Sequence, residues 1–374
     1  MPSFVDIQAL KSSYLEQMGC SWHKDEDGEY IVKDKLLVLT QKEVRAYYDV
    51  TNELYKMYEA GAAYVIEKEL FFELDIPECL IESVQYSWKN ERENHLYGRF
   101  DLSGGLDATE IKLIEFNADT PTLLLESSLI QWMLLEQSGL EHKEQFNAIY
   151  EKMVEKMKKI SSFERGVFSR MLLSSVKNID EERETVQLLQ KIASDAGVST
   201  NFSYLEDIAI GKDAIYDVNE NRYDFFFKLY PWEDMQGYEQ SMTTKILNPA
   251  YTLLFQSKGM LAILSKLFPE SPYLLKSSFE PLDVKYVKKR MFGREGANID
   301  IVGTQGELLV RTQGIYEQYK PVYQEYTPFV QDTEGYYYQA GIFYSGEASG
   351  VGFRRGAEIL DDMSQFIGHC VLDK

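Results

Sequence analysis

The sequence predicts a mixed α/β fold built from more than one unit, and three observations carry that expectation. A strand–helix–strand–strand order runs from Phe168 to Tyr230, as in a small parallel sheet with a crossover helix. Two strand-like runs, 97–102 and 111–118, flank the segment SGGLDATE, whose Gly-Gly and Asp suit a hairpin connection. The last hundred residues are rich in tyrosine and short alternating runs, the pattern of an antiparallel sheet. With 44% hydrophobic and 13% aromatic residues in 374, the chain has material for a large core and is not a disordered protein.

In chain order, residues 5–20 read as an amphipathic helix and His23–Lys33 as a short acidic strand region. A long helix runs from Thr40 to about Leu70, with Thr40 as N-cap and Glu43 three residues on to complete a capping box. After the hairpin, TLLLESSLIQWMLLEQSG reads as a mostly buried helix ending near Gly139. His142–Ile160 reads as another helix. The pattern changes at about Gly166. Phe168–Val176 is expected as a strand, Asn178–Ala196 as a helix stopped by Gly197, and Val198–Tyr204 and Tyr223–Tyr230 as further strands. The first βα turn lacks G-x-G-x-x-G, which argues against a dinucleotide site there. A helix follows at Leu254–Leu267, then strand Val284–Met291, a glycine-bearing loop and strand Ile299–Val302. There is neither an internal repeat nor a long linker.

The formal net charge is −21, which disfavours nucleic acid and anionic lipid as partners. Three widely spaced cysteines, Cys20, Cys79 and Cys370, make neither a disulfide scaffold nor a zinc ribbon, and a reduced cytoplasm is the simplest expectation. The N-terminus lacks a signal-peptide apolar run, and no stretch approaches the roughly 18 apolar residues of a membrane helix. Four separated histidines, His23, His95, His142 and His369, form no triad motif.

Strand alternation puts Arg99 and Asp101 on one face of their strand and Glu115 and Asn117 on one face of theirs. If the hairpin register brings those faces together, three hard oxygen donors and a guanidinium converge; a one-residue slip separates them. Such donors suit Mg²⁺, which takes one or two carboxylates plus phosphates and water. A surface hairpin of salt-bridged charges is the alternative. The segment KYVKKRMFGREG, 285–296, concentrates positive charge and glycine in an acidic protein, as a phosphate-binding loop would. A solvated basic hairpin is the plainer reading. Lys258, Arg354 and Arg355 could also reach phosphate, although each alone reads as an ordinary surface charge.

Seven runs, in order, resemble the synthetase domain of the glutathionylspermidine synthase family: YGRFD (97–101), IEFNADTPT (114–122), SLIQWMLLEQ (128–137), KLYPWE (228–233), SKGML (257–261), YVKKRMFGREGAN (286–298) and a stretch ending SQFIGH (364–369). The resemblance implies an ATP-grasp fold with an inserted Rossmann-like pre-ATP-grasp unit and a small lid. It would divide the chain into a helical and metal-binding part (1–160), the Rossmann-like unit (161–240) and the nucleotide-binding part (241–374), with the lid at about 283–322. Family members with an extra amidase domain are longer than this chain, so a stand-alone synthetase is expected. The resemblance further places Asp101, Glu115 and Asn117 at the magnesium ligands and Arg99 opposite the reacting carboxylate and phosphate. Thr120 and Thr122 fall where the family meets its thiol-peptide substrate. Lys258 and Lys289 fall on nucleotide-contacting lysines, Gly293, Arg294, Gly296 and Asn298 on the loop over the triphosphate, Gln324–Tyr326 on the hinge beside adenine, and Arg354 on a phosphate-side arginine. Arg290 stands where the family often has proline, and Asp362, Gln365 and Gly368 replace its usual asparagine, arginine and proline. No acidic residues stand out as holders of a polyamine.

The chemistry so implied is an ATP- and Mg²⁺-dependent ligation of a peptide-like carboxylate to an amine or polyamine. The carboxylate attacks the γ-phosphate to give an acyl phosphate, and the amine then displaces phosphate. Two Mg²⁺ ions would bridge the phosphates, Arg99 and Lys289 would stabilise the transferring group, and the glycine loop would exclude water. The alternatives are a nucleotide-regulated protein that binds ATP and a peptide without ligating them, and a phosphotransferase that stops at a phosphorylated product.

Overall fold

A computed structural model describes residues 1–24, 28–162, 169–211, 213–235, 243–361 and 364–372. The expected pattern change at Gly166, the start of the Phe168 strand, and Asp362 lie outside them. Three main sheets organise these residues.

The largest has eight strands and takes them from both ends of the chain. Its order is Ser3–Asp6, Ile31–Leu39, Gln365–Val371, Ala348–Gly356, Tyr337–Tyr344, Gly98–Ser103 and Lys112–Asn117, with Val330–Gln331 paired to Tyr337–Tyr344. All neighbours are antiparallel except Ile31–Leu39 with Gln365–Val371, which run parallel, so the C-terminal strands are not purely antiparallel as expected. Helix Gln41–Lys68 packs on this sheet. Thr40 and Glu43 form the expected capping box, which closes two otherwise unpaired N–H groups. Tyr47, Leu54, Tyr58, Ala62 and Val65 repeat at helical spacing and form its buried stripe.

The second sheet is parallel throughout, in the order Lys245–Leu247, Phe225–Lys228, Arg170–Ser174, Ser199–Phe202, with helix Asp180–Asp195 as a crossover. The run Phe225–Lys228 is wholly buried, as expected of a strand covered on both faces. The third sheet is antiparallel: Ser277–Ser278, Pro321–Glu325, Tyr286–Arg290, Asp300–Val302, Leu308–Arg311.

Several elements differ from the sequence reading. The N-terminal amphipathic segment is a strand followed by one short helix, Ser12–Gln17, because the apolar residues of 3–6 add to an open sheet edge. Residues 142–148 are not helical and the helix there is Ile149–Ser162; Ala148 instead donates its N–H to the Ser349 carbonyl. The expected Leu254–Leu267 helix is two helices, Thr252–Gln256 and Gly259–Leu267, broken at Ser257–Lys258. The buried helix after Pro121 contains a π-type turn at Glu126–Ile130 before Gln131–Glu136.

Candidate active site

The register of one hairpin sets the centre of the site. Strands Gly98–Ser103 and Lys112–Asn117 pair so that Arg99 lies opposite Asn117 and Asp101 opposite Glu115. Intervening Phe100 lies opposite Phe116, and these rings stack at 3.7 Å beneath Tyr58 of the long helix. Sinking that aromatic pair into the core turns the other face, with all four polar residues, toward a cleft of about 290 Å³.

Arg99 forks onto Asp101, Nε to Oδ1 at 2.7 Å and Nη2 to Oδ2 at 3.0 Å, and its Nη1 donates to the Thr122 carbonyl at 2.9 Å. The neighbouring strand allows this because Gly341 stands opposite Asp101, where a Cβ would lie 2.9 Å from Arg99 Cδ. Asn117 Nδ2 donates to Asp101 at 3.0 Å. Lys258, delivered by the break between the two helices, reaches Glu115 Oε2 at 3.1 Å and donates to the Gly293 carbonyl at 2.7 Å. Lys289 donates to Gln324 Oε1 at 2.7 Å and to the Ile114 carbonyl. Gln324 therefore orients a lysine with its side chain. Tyr326 hydrogen-bonds Glu358 and lies under the Lys285 ammonium.

The charges are mutually compensated. Burial pushes the Glu115 carboxyl up, but Lys258, Lys289 and Arg99 more than reverse this and leave it at about 2. Burial and the nearby Lys258 pull Lys289 down to about 8 against the attraction of Glu115. Burial opposes the charge on Arg99, and the Asp101 contact outweighs it, so its guanidinium is held above its ordinary value.

Of the residues singled out in the sequence, Arg99, Asp101, Glu115 and Asn117 line the cleft, as do Thr120, Thr122, Lys258 and Lys289. So do Gly293, Arg294 and Gly296 of the loop, Gln324, Tyr326 and Arg354. Asn298 does not. Its Oδ1 accepts from the Tyr316 N–H and its Nδ2 donates to the Gly314 carbonyl, so its amide shapes the turn rather than the cleft. Apolar side chains of Leu275, Val287, Ile301 and Phe329 line part of the same cleft, giving one greasy and one charged part.

Sequence reading missed an acidic group beside Arg354. Glu182 and Glu295 line the cleft, and Glu181 and the buried Glu126 sense the Arg354 charge next to them. Burial and acidic neighbours push Glu181 and Glu182 up to about 7. The only signal in the sequence was the run Asp180-Glu181-Glu182, and three acids in a first helical turn read equally well as complements of the helix dipole. Also missed was Gln256, which lines the cleft and accepts the N–H groups of Ala118 and Asp119.

Two carboxylates and an amide oxygen are hard donors in the number Mg²⁺ takes from a protein when phosphates and water complete its shell. Among the described residues no group of three or more His, Cys, Asp or Glu could hold a metal by itself, so an all-protein cage is not what this site offers. Asp101, Glu115 and Asn117 fit the shared arrangement if the Asn117 amide turns to present Oδ1 in place of the Nδ2 that donates to both carboxylates.

The fold is of the ATP-grasp class. A solved structure of a glutathione synthetase-like effector from Globodera pallida shares the fold, with a TM-score of 0.55 over 90% of this chain and 89% of that one, at 11% identity. The glutathionylspermidine synthase pre-ATP-grasp family model matches residues 4–372, and the chain belongs to that family. It is 33% identical to a Haemophilus influenzae protein provisionally named an acid–amine ligase, over 73% of this chain and 72% of the relative. It is 26% identical to the bifunctional glutathionylspermidine synthetase/amidase of Escherichia coli, over 94% of this chain but only 60% of that protein's length.

Proposed function

We propose that this protein is an ATP-dependent acid–amine ligase that joins a peptide-like carboxylate to an amine through an acyl phosphate. The observation that carries the reading is the hairpin register, which sets Arg99, Asp101, Glu115 and Asn117 on one face against Lys258 and Lys289. The names of the two relatives, one provisionally an acid–amine ligase and the other a bifunctional glutathionylspermidine synthetase/amidase, support that chemistry.

In this reading Asp101, Glu115 and Asn117 would hold Mg²⁺, which would supply positive charge against the phosphate oxygens. Lys289 and Lys258 hold the phosphates, and Leu275, Val287, Phe329 and Tyr326 enclose the base. Thr120 and Thr122 would present the acid to Arg99, whose guanidinium is held in place by Asp101 and the Thr122 carbonyl. The acid's oxygen takes the terminal phosphoryl group, ADP leaves, and the amine nitrogen displaces phosphate to form the amide. The loop at 293–297 excludes water so that the acyl phosphate meets the amine first. Glu181, Glu182 and Glu295 draw a cationic amine to the cleft. We read residues 1–160 and 241–374 as the metal- and nucleotide-binding parts, with the lid at about 283–322, and 161–240 as the pre-ATP-grasp unit. The three cysteines are free, with Cys20 and Cys370 buried, which suits a reducing compartment such as the cytoplasm. Among the described residues no helix is long and apolar enough to cross a membrane.

The test is ADP release over a panel of short peptides and polyamines with Mg²⁺, followed by mass analysis of the product. Release that needs both an acid and an amine, with a new amide, is the expected result. ATP binding without turnover for any pair would make the protein a nucleotide-binding module, and a stable phosphorylated product would make it a phosphotransferase.

A further inference from the structure

The run KLYPWE, 228–233, lies outside the chemistry above, yet it touches both sides of the cleft. Lys228 and Asp119 form an ion pair with both side chains fully buried, Nζ to Oδ1 at 2.8 Å and to Oδ2 at 3.1 Å. The Trp232 N–H donates to the same carboxylate at 2.8 Å, and Lys228 lies 4.6 Å above the Trp232 ring. Asp119 directly precedes the Thr120–Thr122 loop. One residue beyond Trp232, Glu233 pairs through Oε1 with Arg294 of the glycine loop. The Glu233 side chain is only 1% exposed, and its Oε2 has no partner among the described residues. Arg294 also donates to the Phe292 carbonyl at 3.2 Å.

The loop is held at three further points, the first being Thr312 Oγ1, which donates to the Gly296 carbonyl. Lys258 takes the Gly293 carbonyl, and Gly296 sits so close to the 359–360 segment that a Cβ would lie 2.6 Å from the Leu360 carbonyl. Of the four, the Glu233 contact alone reaches the segment that also clamps Asp119. A buried carboxylate with one occupied oxygen fixes a guanidinium more tightly than a solvated one, because no water competes for the donor.

We propose that Glu233 is a positioning residue that holds Arg294 across the cleft and ties closure of the 293–297 loop to the Thr120–Thr122 loop through the 228–233 brace. Its effect on turnover rests on the ligase reading, whereas its effect on the loop does not. Without the Glu233 charge the guanidinium loses its fixed partner, and the loop keeps the Lys258, Leu360 and Thr312 contacts. Closure then becomes less populated, and ATP sees a site that must first be assembled.

The test is hydrogen exchange of the 293–297 amides in the ligand-free protein, for wild type, E233Q, R294Q and the double variant. Each single substitution is expected to speed exchange roughly tenfold, and the double variant to be no faster than either, because both remove one contact. In turnover, E233Q is expected to raise KM for ATP more than it lowers kcat. Wild-type exchange in E233Q, or additive effects in the double variant, overturns the proposal. Should E233Q fail to fold, R294Q reads the same contact from its more exposed partner, and wild-type exchange there is equally fatal. A wild type without ADP release would remove the ligase reading and leave the exchange result standing.

Discussion

At the scale of single residues, Glu115 bears the most. Its carboxylate faces Lys258, Lys289 and Arg99 at once, so Glu115→Gln removes a donor and leaves three cations short of an anion. ATP turnover should fall at least about 100-fold, with the circular dichroism spectrum unchanged; wild-type ADP release in this variant would take Glu115 out of the site. Two histidines matter for stability instead. His369 Nε2 accepts the Phe146 N–H and its Nδ1 meets Gln131 Oε1, which requires a neutral ring. Burial pulls His369 and His95 down to about 3 from 6.5. Folding is thus favoured fully above pH 6.5 and progressively less as pH falls toward 3, since only the unfolded chain takes up these protons. At pH 5 each should cost about 2 kcal/mol relative to pH 7. Urea midpoints should therefore drop between pH 7 and 5, and His369→Gln should flatten that drop.

At the scale of elements, the long helix and the glycine loop make separable predictions. Thr40→Ala opens the capping box of Gln41–Lys68 far from the cleft. It should cost about 1 kcal/mol in denaturant unfolding and leave KM for ATP unchanged. Gly296 has φ +66, and its missing Cβ leaves room for the Leu360 carbonyl. Gly296→Ala should cost more than about 1 kcal/mol and prevent the loop from seating, so KM for ATP rises. A KM equal to wild type would mean that the loop does not close over nucleotide.

At the scale of the whole molecule, an acidic protein has gathered Arg99, Lys258, Lys289 and Arg354 into a cleft and balanced them there with carboxylates. Glu181 and Glu182, held near pH 7 by burial and by acidic neighbours, lose their charge as pH falls below that value. Arg354, Glu126 and Glu295 act on Glu181, and Glu206 and Glu295 act on Glu182. The KM for a polyamine should therefore rise from pH 8 to pH 6, and KM for the acid substrate should not follow it. An amine KM independent of pH over this range would place the amine elsewhere.

The sequence alone determined much of this protein. Periodicity and caps located the long helix from Thr40, and alternation put Arg99 with Asp101 and Glu115 with Asn117. Local patterns encode which face a side chain takes, because backbone geometry within a strand or helix is set by near neighbours. The rest was decided by contacts between segments far apart in the chain. Only tertiary structure fixed the hairpin register through the Phe100–Phe116 stack, broke the helix at Lys258 to deliver its ammonium to Glu115, and turned Asn298 away from the cleft. It also set Glu181 beside Arg354 and linked Glu233 to Arg294 across 61 positions, pairings that no local pattern specifies.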